Sequence, residues 1–138
     1  KASRAVKRES GDSLIIKALA TDSKYGFDMN FQQLKTNCCD VFVWIAVWRD
    51  KIDYWVMSSD DVQRNPLLSN QHRASQLSKT GAVVEGQIHI NNGNYEDFEK
   101  YRVQVREIYD KIIEIGNKIK NQKRRHVFRY KKNTNRGL

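Results

Sequence analysis

Little in this sequence of 138 residues staples the chain or interrupts it. Proline occurs once, at Pro66, and cysteine twice, as the neighbours Cys38 and Cys39. Adjacent cysteines seldom bridge each other, and no second pair exists, which argues against a disulfide framework. The three histidines, His72, His89 and His126, are scattered and do not form a zinc pattern with the cysteines. A reducing, cytoplasmic setting is the expectation. No apolar run approaches the roughly 20 residues that a membrane span requires. The basic start (Lys1, Arg4, Lys7, Arg8) has no apolar stretch behind it, so no signal peptide is expected. A Gly-rich phosphate loop and a GxSxG nucleophile elbow are both missing. The last shortage is of acid: after Glu114 there is none.

That shortage organises the charge. Residues 1–114 hold 16 Lys/Arg and 16 Asp/Glu, whereas residues 115–138 hold 9 Lys/Arg and no acid, so the whole net charge of +9 sits in the final segment. A cationic block with Phe128 and Tyr130 interleaved suits a polyanion, with phosphates neutralised by Arg124, Arg125, Arg129 and Lys131 and rings available to stack. The competing reading is a solvated tail, since like charges repel. The organisation expected is one domain over residues 1–122 and a basic C-terminal tail over 123–138.

The apolar pattern predicts a strand over Ser13–Ala20 and, after a loop, a short helix over FDMNFQQLKTN, where Phe27, Phe31 and Leu34 recur at helical spacing. Asp40–Trp48 is an uninterrupted apolar run, the pattern of a strand covered on both faces and set among parallel neighbours. Arg49-Asp50-Lys51 predicts a tight turn into a returning strand over 51–58, with Ile52, Tyr54 and Val56 on one face and Asp53, Trp55 and Met57 on the other. Ser58 and Asp61 stand at capping-box spacing, and Gly86–Ile90 reads as another strand. Residues 94–122 read as one long helix with a heptad stripe through Phe98, Tyr101, Val105, Ile108, Ile112, Ile115 and Ile119. Such a stripe either packs on a sheet or, over residues 98–119, joins two copies. Strand, helix, strand makes a right-handed parallel crossover the expected connection. The fold class is α/β (α+β): a central mixed sheet with flanking helices and a long C-terminal helix.

A lysine, Lys17, interrupts SLIIKALAT, and an ammonium is seldom left in an apolar strand without a partner. The order of elements (a lysine ending a buried strand, a loop, a helix carrying FQQLK, then the buried strand DVFVWIAVW and a hairpin ending YWVMSSDDV) resembles the second half of a PD-(D/E)XK nuclease core, the family of many restriction endonucleases. The resemblance covers roughly residues 10–90 and its motifs are short. It implies a Mg²⁺-dependent DNA endonuclease acting on double-stranded DNA, with a restriction-endonuclease-like sheet. Lys17 then matches the motif lysine, with Asp12 and Glu9 as carboxylates that hold Mg²⁺. The family expects an acid two positions before the lysine, and here that position is Ile15. For this reason a second reading stands beside the first: a non-catalytic nucleic-acid-binding module on the same fold.

Further contacts to DNA are expected from Gln32 and Gln33, and from His72 and Arg73 in the long polar loop around Pro66. Arginine pairs with guanine or phosphate there. A dimer would match the two-fold symmetry of a palindromic site.

Overall fold

The computed structural model describes residues 1–8, 17–71 and 85–134, the last eight of these as backbone only. Its strands are β1 (Ala2–Arg4), β2 (Val6–Lys7), β3 (Phe27–Leu34), β4 (Val41–Val47), β5 (Ile52–Ser58), β6 (Ser69–Asn70), β7 (Gly86–Asn91) and β8 (Arg102–Val103). Its helices are α1 (Ser59–Gln63) and α2 (Ile108–Thr134), with 3₁₀ turns at Tyr95–Tyr101 and Val105–Glu107. The strands form two sheets, ordered β1-β4-β5-β8 and β2-β3-β7-β6. The α+β class is as expected, and the first sheet is mixed.

β4 and β5 build the centre. Val41 faces Ser58 and Val47 faces Ile52 across a hairpin closed by Trp48 N–H donating to Lys51 O (3.0 Å). Alternation sorts their side chains. Phe42, Trp44, Ala46, Trp55 and Met57 point at the second sheet and join its Phe27, Met29, Phe31, Ile88 and Ile90 in one core. Phe31 stacks on Trp44 at 4.5 Å, an aromatic contact worth about 1 kcal/mol beyond its buried area. The opposite face of β5 carries Val56, which lies under Ile115 and Ile119 of α2. The layers are therefore sheet, sheet, helix. β4 is covered on both sides, as its composition predicts, but by a sheet on one side and a helix on the other.

Three expectations are corrected. FDMNFQQL is strand β3, not a helix. Phe27, Met29, Phe31 and Leu34 are its buried positions, a period of two that lengthens once at a bulge where Gln33 takes φ of 54°. Spacings of four and three between Phe27, Phe31 and Leu34 imitate a helix because the bulge adds a residue. Residues 94–122 are not one helix. Arg102–Val103 leave the helical path to pair with Trp55 and Tyr54, and Gln104 and Glu107 then form a capping box from which α2 starts. The stripe is split accordingly: Phe98 is in the core, while Val105 is 65% exposed. Finally, the parallel neighbour of β4 is β1 (Ala2↔Ile45 to Arg4↔Val47), not Ser13–Ala20. Residues 17–20 of that segment are irregular, and 13–16 lie outside the described residues.

The chain passes from the first sheet to the second at fully buried Ala5, whose N–H donates to Val47 O (3.0 Å) and whose carbonyl accepts from Leu19 N–H (2.8 Å). The capping box at Ser58 and Asp61 and the strand at β7 are as expected. α2 continues through 123–134, so the basic segment is helical there. Among the described residues no helix is long and apolar enough to cross a membrane.

Candidate nucleic-acid interface

α2 begins on the protein body and ends in unbalanced charge. Its first turns are docked by Ile115, 8% exposed, and by Ile112 and Ile119. Charges there are matched: Glu114 accepts from Lys118 (2.6 Å) and Lys111 (3.1 Å), and these two ammoniums hold its carboxyl below the ordinary range. Beside it a groove of about 740 Å³ mixes Lys100, Lys111 and Lys118 with Asp40, Asp60 and Asp61. Further along, Lys123 lies 3.7 Å from Asp40. Beyond that contact the pairing stops. Lys120, Arg124 and Arg125 are exposed and have no acidic partner among the described residues. The same helix carries Arg129 and Lys131 on its backbone. At 1.5 Å rise per residue, residues 117–134 extend the cationic rod by about 27 Å. A helix of that kind fits the roughly 12 Å width of a DNA major groove.

The remaining expected contacts are divided. Gln32 and Gln33 are exposed on β3, and the Gln33 N–H donates to the Gln71 side chain. His72 and Arg73 lie outside the described residues, as do Glu9, Asp12 and Ile15. Lys17 is exposed on irregular chain and makes no ion pair among the described residues. The main chain of Lys1, just before β1, is held beside β4: its nitrogen donates to Val43 O and its carbonyl accepts from Ile45 N–H, both at 2.8 Å, while its side chain is exposed. Among the described residues no three His, Cys, Asp or Glu side chains gather as metal ligands. The described residues do not by themselves make a Mg²⁺ site, and the expected carboxylates Glu9 and Asp12 lie outside them.

Two polar clusters escape sequence reasoning. The carboxylate of Asp53, 8% exposed, accepts from the Tyr95 hydroxyl and lies 3.0 Å from Lys51 Nζ and 3.8 Å from Arg102. Burial, and then the bond to Asp53, push the Tyr95 hydroxyl well above its ordinary pKa. The cluster ties the 3₁₀ turn and β8 to β5. Its sequence signal is an acid sharing a strand face with Trp55 and Met57. The second is Asp28, whose Oδ2 lies 2.9 Å from His89 Nδ1 across the outer face of β3 and β7. No hydroxyl or thiol nucleophile bonds to that pair among the described residues, so it reads as a cross-strand contact. Compared with protein-family models, with curated proteins and with solved structures, the chain matches none of them.

Proposed function

We propose that the protein is a DNA endonuclease of the restriction type, hydrolysing phosphodiester bonds with Mg²⁺ and holding the duplex with the basic half of α2. The observation that carries this reading is the parallel pairing of β1 with β4, with Lys1 at the head of β1. The resemblance asks for a lysine ending a strand ahead of DVFVWIAVW. Neither Lys1 nor Lys17 lies within a strand, but Lys1 directly precedes β1, which lies beside β4 in parallel. The role expected of Lys17 passes to Lys1. The sheet fixes the main chain of Lys1, and its exposed side-chain ammonium extends from that edge, where it would stabilise charge developing on a phosphate. Asp12 and Glu9 keep the carboxylate role in this proposal.

The second reading, a binding module without catalysis, is favoured by the unpaired cations of α2, which suffice for binding alone. Plasmid cleavage with Mg²⁺ separates the two. Lys1→Ala is expected to lower the cleavage rate by about 100-fold or more, the scale of losing one charge-stabilising donor. Lys17→Ala is expected to cleave within a few-fold of the parent. The reverse pattern returns the role to Lys17. Salt-sensitive DNA binding with no cleavage by the parent protein establishes the module instead.

A further inference from the structure

The vicinal thiols at the β3–β4 turn have no role in the proposed function, and their surroundings are well defined. Cys38 and Cys39 are both free and exposed. The turn that carries them is tied at three points. Cys38 N–H donates to Lys35 O (3.1 Å), Ser59 N–H donates to Asp40 O (2.9 Å), and the Ser59 hydroxyl donates to Thr36 O. Thr36, Asn37, Cys38, Cys39, Asp40 and Ser59 line an open hollow of about 420 Å³. Both cysteines line this one hollow, which brings them to the same open face of the turn.

Geometry then selects the chemistry. Adjacent α-carbons across a trans peptide are about 3.8 Å apart, below the usual 4.4–6.8 Å of a disulfide. Among the described residues, which include both cysteines, no peptide bond is cis. A direct S–S bond is thus disfavoured, whereas one atom inserted between the sulfurs enlarges the ring and relieves it. Thiol sulfur is a soft donor and prefers soft centres. A tetrahedral zinc ion is a poor match, because it asks for four ligands and the turn offers two sulfurs.

We propose that Cys38 and Cys39 form a chelating site for a three-coordinate thiophilic centre, namely a trivalent organoarsenical. An arsenoxide R–As=O reacts with both thiols to give R–As(S–Cys)₂ and water. Two S–H bonds and the As=O bond break, two As–S bonds form, and both thiol protons leave on the oxygen. Arsenic stays trivalent throughout, so neither oxidant nor reductant is consumed. The proposal is independent of any action on DNA.

Phenylarsine oxide added to the whole chain is the test. An equimolar amount is expected to remove both thiols from reaction with a chromogenic disulfide. The intact mass should rise by one reagent less one water. A small dithiol should reverse the adduct and a monothiol should not. Cys38→Ser and Cys39→Ser should each weaken binding by about 100-fold or more, since the second sulfur acts at high effective concentration. Circular dichroism of the two variants checks that the turn change leaves the fold intact. A parent protein that retains a reactive thiol at equimolar reagent overturns the proposal, as does single-cysteine binding equal to the parent's. Isolation of the pair as a disulfide overturns it too.

Discussion

The cluster around Asp53 and the second half of α2 are both charged, and they differ in whether the charge is answered. Asp53 is buried, and Lys51, Arg102 and the Tyr95 hydroxyl surround it. Lys120, Arg124 and Arg125 are exposed and face no acid among the described residues. A buried charge must find its partners inside the fold, because desolvating it alone costs several kcal/mol. An exposed block of one sign has no such constraint, and its counter-charge comes from outside. The first arrangement holds the molecule together, and the second is available to a ligand.

The largest effect is expected where the internal answer is removed. Asp53→Ala leaves two cations and a hydroxyl around an empty position and should destabilise the fold by about 3 kcal/mol, measured by denaturant unfolding. The figure is at the low end for a buried pair because Lys51 and Arg102 are 42% and 31% exposed. DNA binding by the folded fraction should be unchanged. Loss of affinity with intact stability would reverse the division between the two regions.

Next is the joint between them. Ile115→Ala removes the buried side chain that docks α2 over Val56 and should lower stability by about 2–3 kcal/mol. In the outer region the effect moves from stability to binding. Arg124→Ala with Arg125→Ala should weaken duplex binding about 10-fold or more at physiological salt. The log–log salt slope should flatten by about 0.9 for each phosphate that the variant no longer neutralises. Unfolding midpoints should not move. If the midpoint falls while the slope stays, the arginines are structural.

How far these regions can be read in advance follows from the range of the forces that set them. The uncompensated charge of residues 115–138 is visible by counting, because exposed like charges are not arranged by tertiary contacts. The β4–β5 hairpin, the Ser58 cap and β7 are legible because turn chemistry and alternation are local. β3 is mistaken for a helix because a bulge at Gln33 gives a strand the spacing of one. The break at 102–107 depends on pairing with β5, about 50 residues earlier in the chain, and no local pattern announces it. Lys17 draws attention by standing in an apolar run, while the parallel place beside β4 goes to Ala2–Arg4, whose composition suggests nothing of the kind.

Tyr95 tests the buried cluster through pH. Its folded pKa is raised from an ordinary value of 10.0 by burial and by Asp53. A raised pKa means that the folded state keeps a proton the unfolded state releases. The contribution is complete below pH 10 and is lost as pH rises from there towards the folded value. At neutral pH Tyr95→Phe should cost about 1 kcal/mol for the missing hydrogen bond. Above pH 10 the parent should lose stability more steeply than the variant, so the gap between them narrows. Parallel curves would show that Tyr95 ionises as freely folded as unfolded.

The smallest effect falls at the boundary, and it sharpens the contrast most. Glu114 is the last acid in the chain and the last point at which α2 balances its own cations. Its pKa is lowered by Lys118 and Lys111, so the support it gives is present above the ordinary carboxyl range and is lost as pH falls through the lowered value. It is an exposed, solvent-screened contact, and Glu114→Gln should leave the neutral-pH unfolding midpoint essentially unmoved. Binding should respond in the opposite sense. Lys111 and Lys118, released from the carboxylate, join the unanswered cations beyond them, and duplex affinity should rise by a few-fold with a steeper salt slope. On the proposed function, unchanged affinity would confine the DNA contact to residues past Lys118. A fall in affinity would mean that the carboxylate positions its lysines for the phosphates, and the line between matched and unmatched charge would have to be drawn nearer the start of the helix.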